Sequence, residues 1–221
     1  MAKVVDGPAS EALRVLLAGD ASRLVPELQI AWMRFLLSLF FRTPRMVKNI
    51  AEEAERNLRK SFEEKPEEYE SLRTADHSPT LVEWVERNLP HLFTEAGKSF
   101  LPGIIDSTKL GNTILQMQWS VWTRHERMNA HDLLTSDSPI FTSGGLGNPD
   151  CVLALPISPA KAFFASRNVA KLKAVFSHGP ANVARQLNAS MVNQAERSVF
   201  ASNDGHVRFV EKRLRAVARA R

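Results

Sequence analysis

Gln116-Met-Gln-Trp-Ser-Val-Trp-Thr123 is where the chain changes its period. Met117, Trp119, Val121 and Thr123 alternate with Gln116, Gln118, Ser120 and Trp122, the two-residue repeat of a β-strand. Upstream of it the sequence reads as helices. Leu24 to Phe41 is strongly helical, and Glu11 to Leu17 makes a short amphipathic turn or two. Thr43 before Pro44 suits an N-cap with proline at the first helical position. Arg45 to Phe62 follows, with Glu52–Arg56 and Glu55–Arg59 at i, i+4 as an exposed helix would place them. The acidic run Glu63 to Glu70 is a connection or short helix. Ser78-Pro79 opens a further helix that Pro90 ends, and another runs from about Pro102 to Leu115.

Downstream, the segments shorten. Leu133 to Ser136 and Ile140 to Thr142 read as strands around an Asp-Ser-Pro turn. Cys151 to Leu155 and Lys161 to Ala165 read as a second pair around Ser158-Pro159. Gly179-Pro180 opens a helix carrying Val183, Leu187 and Met191 on one side, Ser198 to Ser202 is a last short strand, and a basic helix closes the chain. Helices first and strands later argue for an α+β fold, with a helical N-terminal half packed on a small, mainly antiparallel sheet and a late helix–strand–helix. The 221 residues form a single domain on this reading, mainly helical over 1–115 and sheet plus two helices over 116–221.

Composition narrows the class. Hydrophobic content of 44% with 24% charged residues is that of a soluble globular protein. The start, Met1-Ala-Lys-Val-Val-Asp6, has no apolar run before an acidic residue and a Gly-Pro, so no secretory leader is expected. The most apolar window, Leu28 to Phe41, is interrupted by Arg34 and falls short of the roughly 20 residues a bilayer requires, so no membrane partner is expected. The single cysteine, Cys151, excludes an internal disulfide, fits a reducing, cytoplasmic compartment, and lies in an apolar run as a small buried hydrophobe.

Net charge is +5, unevenly spread. From Arg167 onward eleven Lys or Arg face only Glu196, Asp204 and Glu211, a net of +8, which leaves −3 for the residues before it. On a helical projection Val207, Val210, Leu214 and Val217 share one face, and Arg208, Lys212, Arg215 and Arg219 the opposite one. The valine face docks the helix, and the basic stripe either meets phosphates or an acidic partner or complements the helix dipole in solvent.

Three blocks carry a resemblance. Phe35 to Pro44 is a hydrophobic helix running into Arg-Thr-Pro. Trp119, Leu133 to Pro139 and Pro156 to Pro159 resemble a Trp-containing strand followed by L-L-T-S-D-x-P and P-(L/I)-S-P. Asn188 followed by Ala195, Glu196, Arg197 and Phe200 is similar to a closing helix and strand. Together they resemble the mainly bacterial family called domain of unknown function 4238. Its members usually begin with a His-x-x-Pro block and a Tyr-Leu pair, which are not found here before Leu28. The resemblance implies no reaction, so no catalytic role is carried over.

Candidate chemistry rests on few residues. Asp137, with hydroxyls on both sides, suits a general base or metal ligand, and equally a turn whose carboxylate accepts backbone N–H bonds. Ser136 is a candidate nucleophile without a G-x-S-x-G elbow. Of the histidines His77, His91, His125, His131, His178 and His206, none shows zinc spacing, so no metal is expected. His131-Asp132 is the arrangement nearest to a site. Thr142 to Pro149 is glycine-rich but lacks the Gly-Lys-Ser/Thr ending and a following helix, so it reads as a hairpin loop and no cofactor is expected. Arg42, Arg45 and Arg197 are anion contacts if they converge, while Glu196-Arg197 with Asn188 and Asn193 equally suit a polar network tying the late helix to the sheet. Two readings follow. One is a non-enzymatic binding protein whose basic helix faces nucleic acid or an acidic partner. The alternative is a hydrolase of phosphoester type around Asp137, which needs another acid, histidine or arginine gathered beside it.

Overall fold

The computed structural model describes residues 2–64, 66–124 and 131–219. Their backbone contacts group into two compact units, residues 1–40 with 107–221, and residues 41–106. The first unit opens with α1 (Ala2–Leu17) and α2 (Pro26–Phe41, whose last residue falls in the second unit). The second holds α3 (Pro44–Glu63), α4 (Pro66–Leu72), α5 (Leu81–Asn88) and α6 (Leu92–Ile105). The first unit resumes with α7 (Thr108–Leu115), β1 (Gln118–Thr123), β2 (Thr135–Ser136), β3 (Phe141–Thr142), β4 (Val152–Ser158) and β5 (Lys161–Ser166). It finishes with α8 (Val169–Ser177), α9 (Pro180–Gln194), β6 (Val199–Phe200) and α10 (Val207–Arg219). The fold is α+β, with most of the helices ahead of the strands.

Four strands pair in the order β1-β5-β4-β3, each junction antiparallel, and β2 pairs with β6 in a separate two-stranded ladder. Alternation along β5 gives the sheet two covered faces. Phe163 is fully buried between Trp32 of α2 and Trp119 of β1, at ring centroid distances of 5.7 and 5.3 Å. Ala162 and Phe164 point the other way, into a cluster with Trp122, Val152, Leu172, Leu187 and Met191. Trp122 therefore shares its alternate positions with Gln118 and Ser120 and yet sits in a core, because α8 and α9 roof the face that a one-sided sheet would leave wet. In β4 the pairing slips between Pro156 and Ser158. Proline has no N–H to give a ladder, and an irregularity is where a strand tolerates it.

Several boundaries differ from those the sequence suggests. Residues 2–17 form one helix running through Gly7-Pro8, where the sequence suggests only a turn or two over Glu11 to Leu17. The helix expected from Ser78-Pro79 begins at Leu81, because Thr80 Oγ1 accepts from Glu83 N at 3.2 Å and takes the cap. The single helix expected over 102–115 is two, α6 passing through Pro102 and α7 capped by Ser107. Thr43 does cap α3, accepting from Met46 N at 3.3 Å. On α3, Arg59 holds Glu55 at 3.0 Å as expected, but Arg56 reaches Glu53 and Glu52 faces Lys48 at 3.8 Å. α8 has no counterpart in the sequence reading; Asn168 caps it through Ala170 N and Lys171 N.

Candidate functional site

The segment 132–138 is held at several positions by chain from elsewhere in the first unit. Leu134 N donates to Asn188 Oδ1, and Asn188 Nδ2 donates to Asp132 O, both at 2.8 Å, so one buried amide on α9 pairs two backbone groups. Leu133 N donates to Pro159 O at 2.8 Å, which brings the Pro-Ile-Ser-Pro turn against it. Ser138 O accepts from Gln194 Nε2 at the end of α9. The family-like blocks of the second half therefore meet in one place.

Asp137 closes this arrangement. Its Oδ1 accepts from Glu196 N at 3.0 Å, and its Oδ2 from Arg197 N at 2.7 Å and Ser198 N at 3.2 Å. Asp137 N in turn donates to Ser198 O at 3.1 Å. The carboxylate thus binds the bend between α9 and β6, not the amides two residues on that a local turn would use. Ser136 is buried; its hydroxyl donates to Ser138 O at 3.0 Å and accepts from Ser138 N. Both oxygens of Asp137 and the Ser136 hydroxyl are occupied by backbone, while Arg124 pairs with Asp132 and His131 meets His206. Of the polar network expected around Glu196-Arg197, Asn188 and Asn193, the backbone amides of Glu196 and Arg197 and the Asn188 side chain tie α9 and its C-terminal bend to the 132–138 segment. Arg197 is exposed in the first unit, and Arg42 and Arg45 are exposed in the second.

Asp132 is the centre of a second cluster. Its Oδ1 pairs with Arg124 Nη2 at 2.7 Å, and its Oδ2 accepts from Ser202 Oγ at 2.7 Å and Asn203 Nδ2 at 3.2 Å. His131 meets the buried His206 edge-on, with centroids 5.6 Å apart. Burial pushes the His206 imidazole below the ordinary histidine value, and the charge of His131 adds to this while Asp132 opposes it. The native state then favours neutral His206, so its contribution is complete above the unfolded pKa of about 6.5 and is lost as the pH falls through the folded value. Thermal midpoints measured from pH 8 to pH 5 should fall for the parent chain and fall less for His206→Gln. Equal slopes for the two proteins would contradict this origin. His125 lies outside the described residues. Among those residues no three His, Cys, Asp or Glu side chains gather as a metal site.

α10 lies on α9 by only part of the face expected. Phe209 and Val210 pack against the core cluster, and the Arg213 guanidinium stands 5.0 Å over the Phe209 ring. Val207 and Leu214 are 48% and 45% exposed. Val210 docks as expected, while Phe209 takes the inward place expected of Val207 and Leu214, because an aromatic ring buries more apolar area than valine does. Arg208 and Lys212 are exposed as expected. The side chains of Val217, Arg215 and Arg219 lie outside the described ones.

The structure thus describes an α+β protein whose second-half motifs form a hydrogen-bonded junction. The chain belongs to the family described as protein of unknown function (DUF4238), whose sequence profile matches residues 1–205. Searches of curated proteins and of solved structures return no match. No helix of the described residues is long and apolar enough to cross a membrane.

Proposed function

We propose that this chain is a non-enzymatic interaction protein whose C-terminal helix meets an acidic protein partner. The observation that carries the reading is the exposure of Val207 and Leu214 beside Arg208 and Lys212 on α10. Two apolar side chains seven positions apart lie about 10 Å apart along the helix. Basic residues flanking such a stripe suit an apolar groove with an acidic rim. Phosphates would engage the cations and leave the apolar pair unused, which is why a protein is favoured over nucleic acid. Arg215 and Arg219 continue the basic stripe in sequence. The hydrolase reading has less support, since Asp137 and Ser136 are spent on backbone groups. A cytoplasmic location fits the single, buried Cys151.

The test is a titration with a glutamate-rich helical peptide bearing leucines at i, i+3 and i+7, and in parallel with duplex DNA, at rising NaCl. Arg208→Glu with Lys212→Glu should weaken peptide binding at least about ten-fold, or about 1.4 kcal/mol. Val207→Ser with Leu214→Ser should weaken it comparably, and salt should weaken the parent complex. DNA binding that ignores the apolar substitutions would move the reading to nucleic acid. Absence of binding to both probes at low salt would remove it.

A further inference from the structure

The glycine-rich turn after β3 forms the lip of a groove that the interaction reading leaves unused. The groove has a volume of about 800 Å³ and lies in the first unit, among β3, β4, β5, α8 and α9. Its floor is apolar and comes from the sheet: Phe141, Val152, Ala154 and Phe164, the last three almost wholly buried. α8 lines one wall with Lys171, Ala174 and Val175, continued by its C-cap His178. α9 lines the other with Val183, Gln186, Leu187 and Ser190. Both sets have the spacing i, i+3, i+4, i+7, so each helix gives the groove one continuous face over two turns. The lip contributes Ser143, Gly144 and Asn148. Gly144 has φ +81°, and a β-carbon there would lie 2.7 Å from Asn148 Nδ2, so this approach of the turn needs glycine.

Size and lining suit a small molecule: pockets that bind one are typically about 300–1,000 Å³, apolar, with a few polar groups that set orientation. The polar groups sit at the ends. Lys171 and His178 bracket the apolar middle of the α8 face at about 10 Å separation, the rise of seven helical residues. Asp150 joins Lys171 at its end, where Lys171 Nζ is 3.9 Å from Asp150 Oδ2 and both side chains are about half exposed. Such a pair is worth little, about 0–1 kcal/mol, and does not hold the lysine. The other Asp150 oxygen already accepts from Asn168 Nδ2 at 2.7 Å, which ties the carboxylate to the cap of α8. The acid is tied to the α8 cap and its long, half-exposed pairing with Lys171 is weak, so an incoming carboxylate can take the lysine from it.

We infer that this groove binds a linear amphiphile, with an aliphatic chain along the Phe141–Phe164 floor and a carboxylate at Lys171. Decanoate is the probe, followed by calorimetry on the intact chain, with decanol and decylammonium as head-group controls. Decanoate should bind saturably and at least about ten-fold more tightly than decylammonium. Ala174→Trp fills the groove from an exposed position on α8, so the fold is not at stake, and it should cost at least about ten-fold for decanoate and decanol alike. Lys171→Gln should weaken decanoate alone. Arg208→Glu with Lys212→Glu should change nothing, which separates this site from α10. Saturable binding that survives Ala174→Trp, a decylammonium affinity equal to that of decanoate, loss on the α10 reversal, or no saturable binding would each overturn the inference.

Discussion

Asn188→Leu should lower the unfolding free energy by about 2–6 kcal/mol, although it introduces a side chain with the same number of heavy atoms that suits a core. The asparagine is 2% exposed and serves Leu134 N–H and Asp132 C=O with one amide. Leucine serves neither, and each buried group left unpaired costs about 1–3 kcal/mol. The loss is thus one of polar satisfaction, not of volume, and Asn188→Asp discriminates the two. Aspartate keeps the acceptor for Leu134 N–H and loses the donor to Asp132 C=O, so it should fall between the parent and the leucine variant. Urea unfolding at constant pH reads both. A loss under about 1 kcal/mol for leucine would mean that the segment finds other partners.

Asp137→Ala should cost about 2–3 kcal/mol, because three amides of residues 196–198 lose a charged acceptor together. Asp137→Asn keeps one carbonyl oxygen and should cost less. The sharper readout is local: amide exchange at Glu196, Arg197 and Ser198 should accelerate in both variants while β4 and β5 stay protected. Stability is also what separates this role from catalysis. Residues kept for chemistry often lower stability, and replacing them tends to raise it. A more stable Asp137→Ala chain would therefore return the hydrolase reading to contention.

The sequence was legible where a local pattern has one solution. The period change near Gln116, the Thr43-Pro44 start and the Val183, Leu187, Met191 face are set within a few residues; the last two stand as read, and the strand begins two residues after Gln116, at Gln118. Strand partnership is not a local property. Leu133–Ser136 and Ile140–Thr142 read as two arms around one turn, yet β2 pairs with β6 and β3 with β4, because each arm has a distant partner that alternation cannot name. α8 went unread although Asn168 and the spacing of Leu172, Val175 and Phe176 announce a capped amphipathic helix. Its absence hid the groove, half of whose walls it supplies. On α10 periodicity gave the helix but not its rotation, which depends on the one large ring in it, Phe209. Asp137 was open between base and turn, and the bonds that occupy it come from residues 59 to 61 positions away.

That separation has a kinetic meaning. The β4–β5 hairpin joins neighbours across a two-residue gap, whereas the Asp137 clasp closes a loop of about sixty residues and must wait for the sheet and α9 to be in place. The clasp should therefore form after the rate-limiting step. Weakening it leaves the folding rate nearly unchanged and shortens the lifetime of the native state, so Asp137 acts on this protein as a latch, setting how long the fold persists once made.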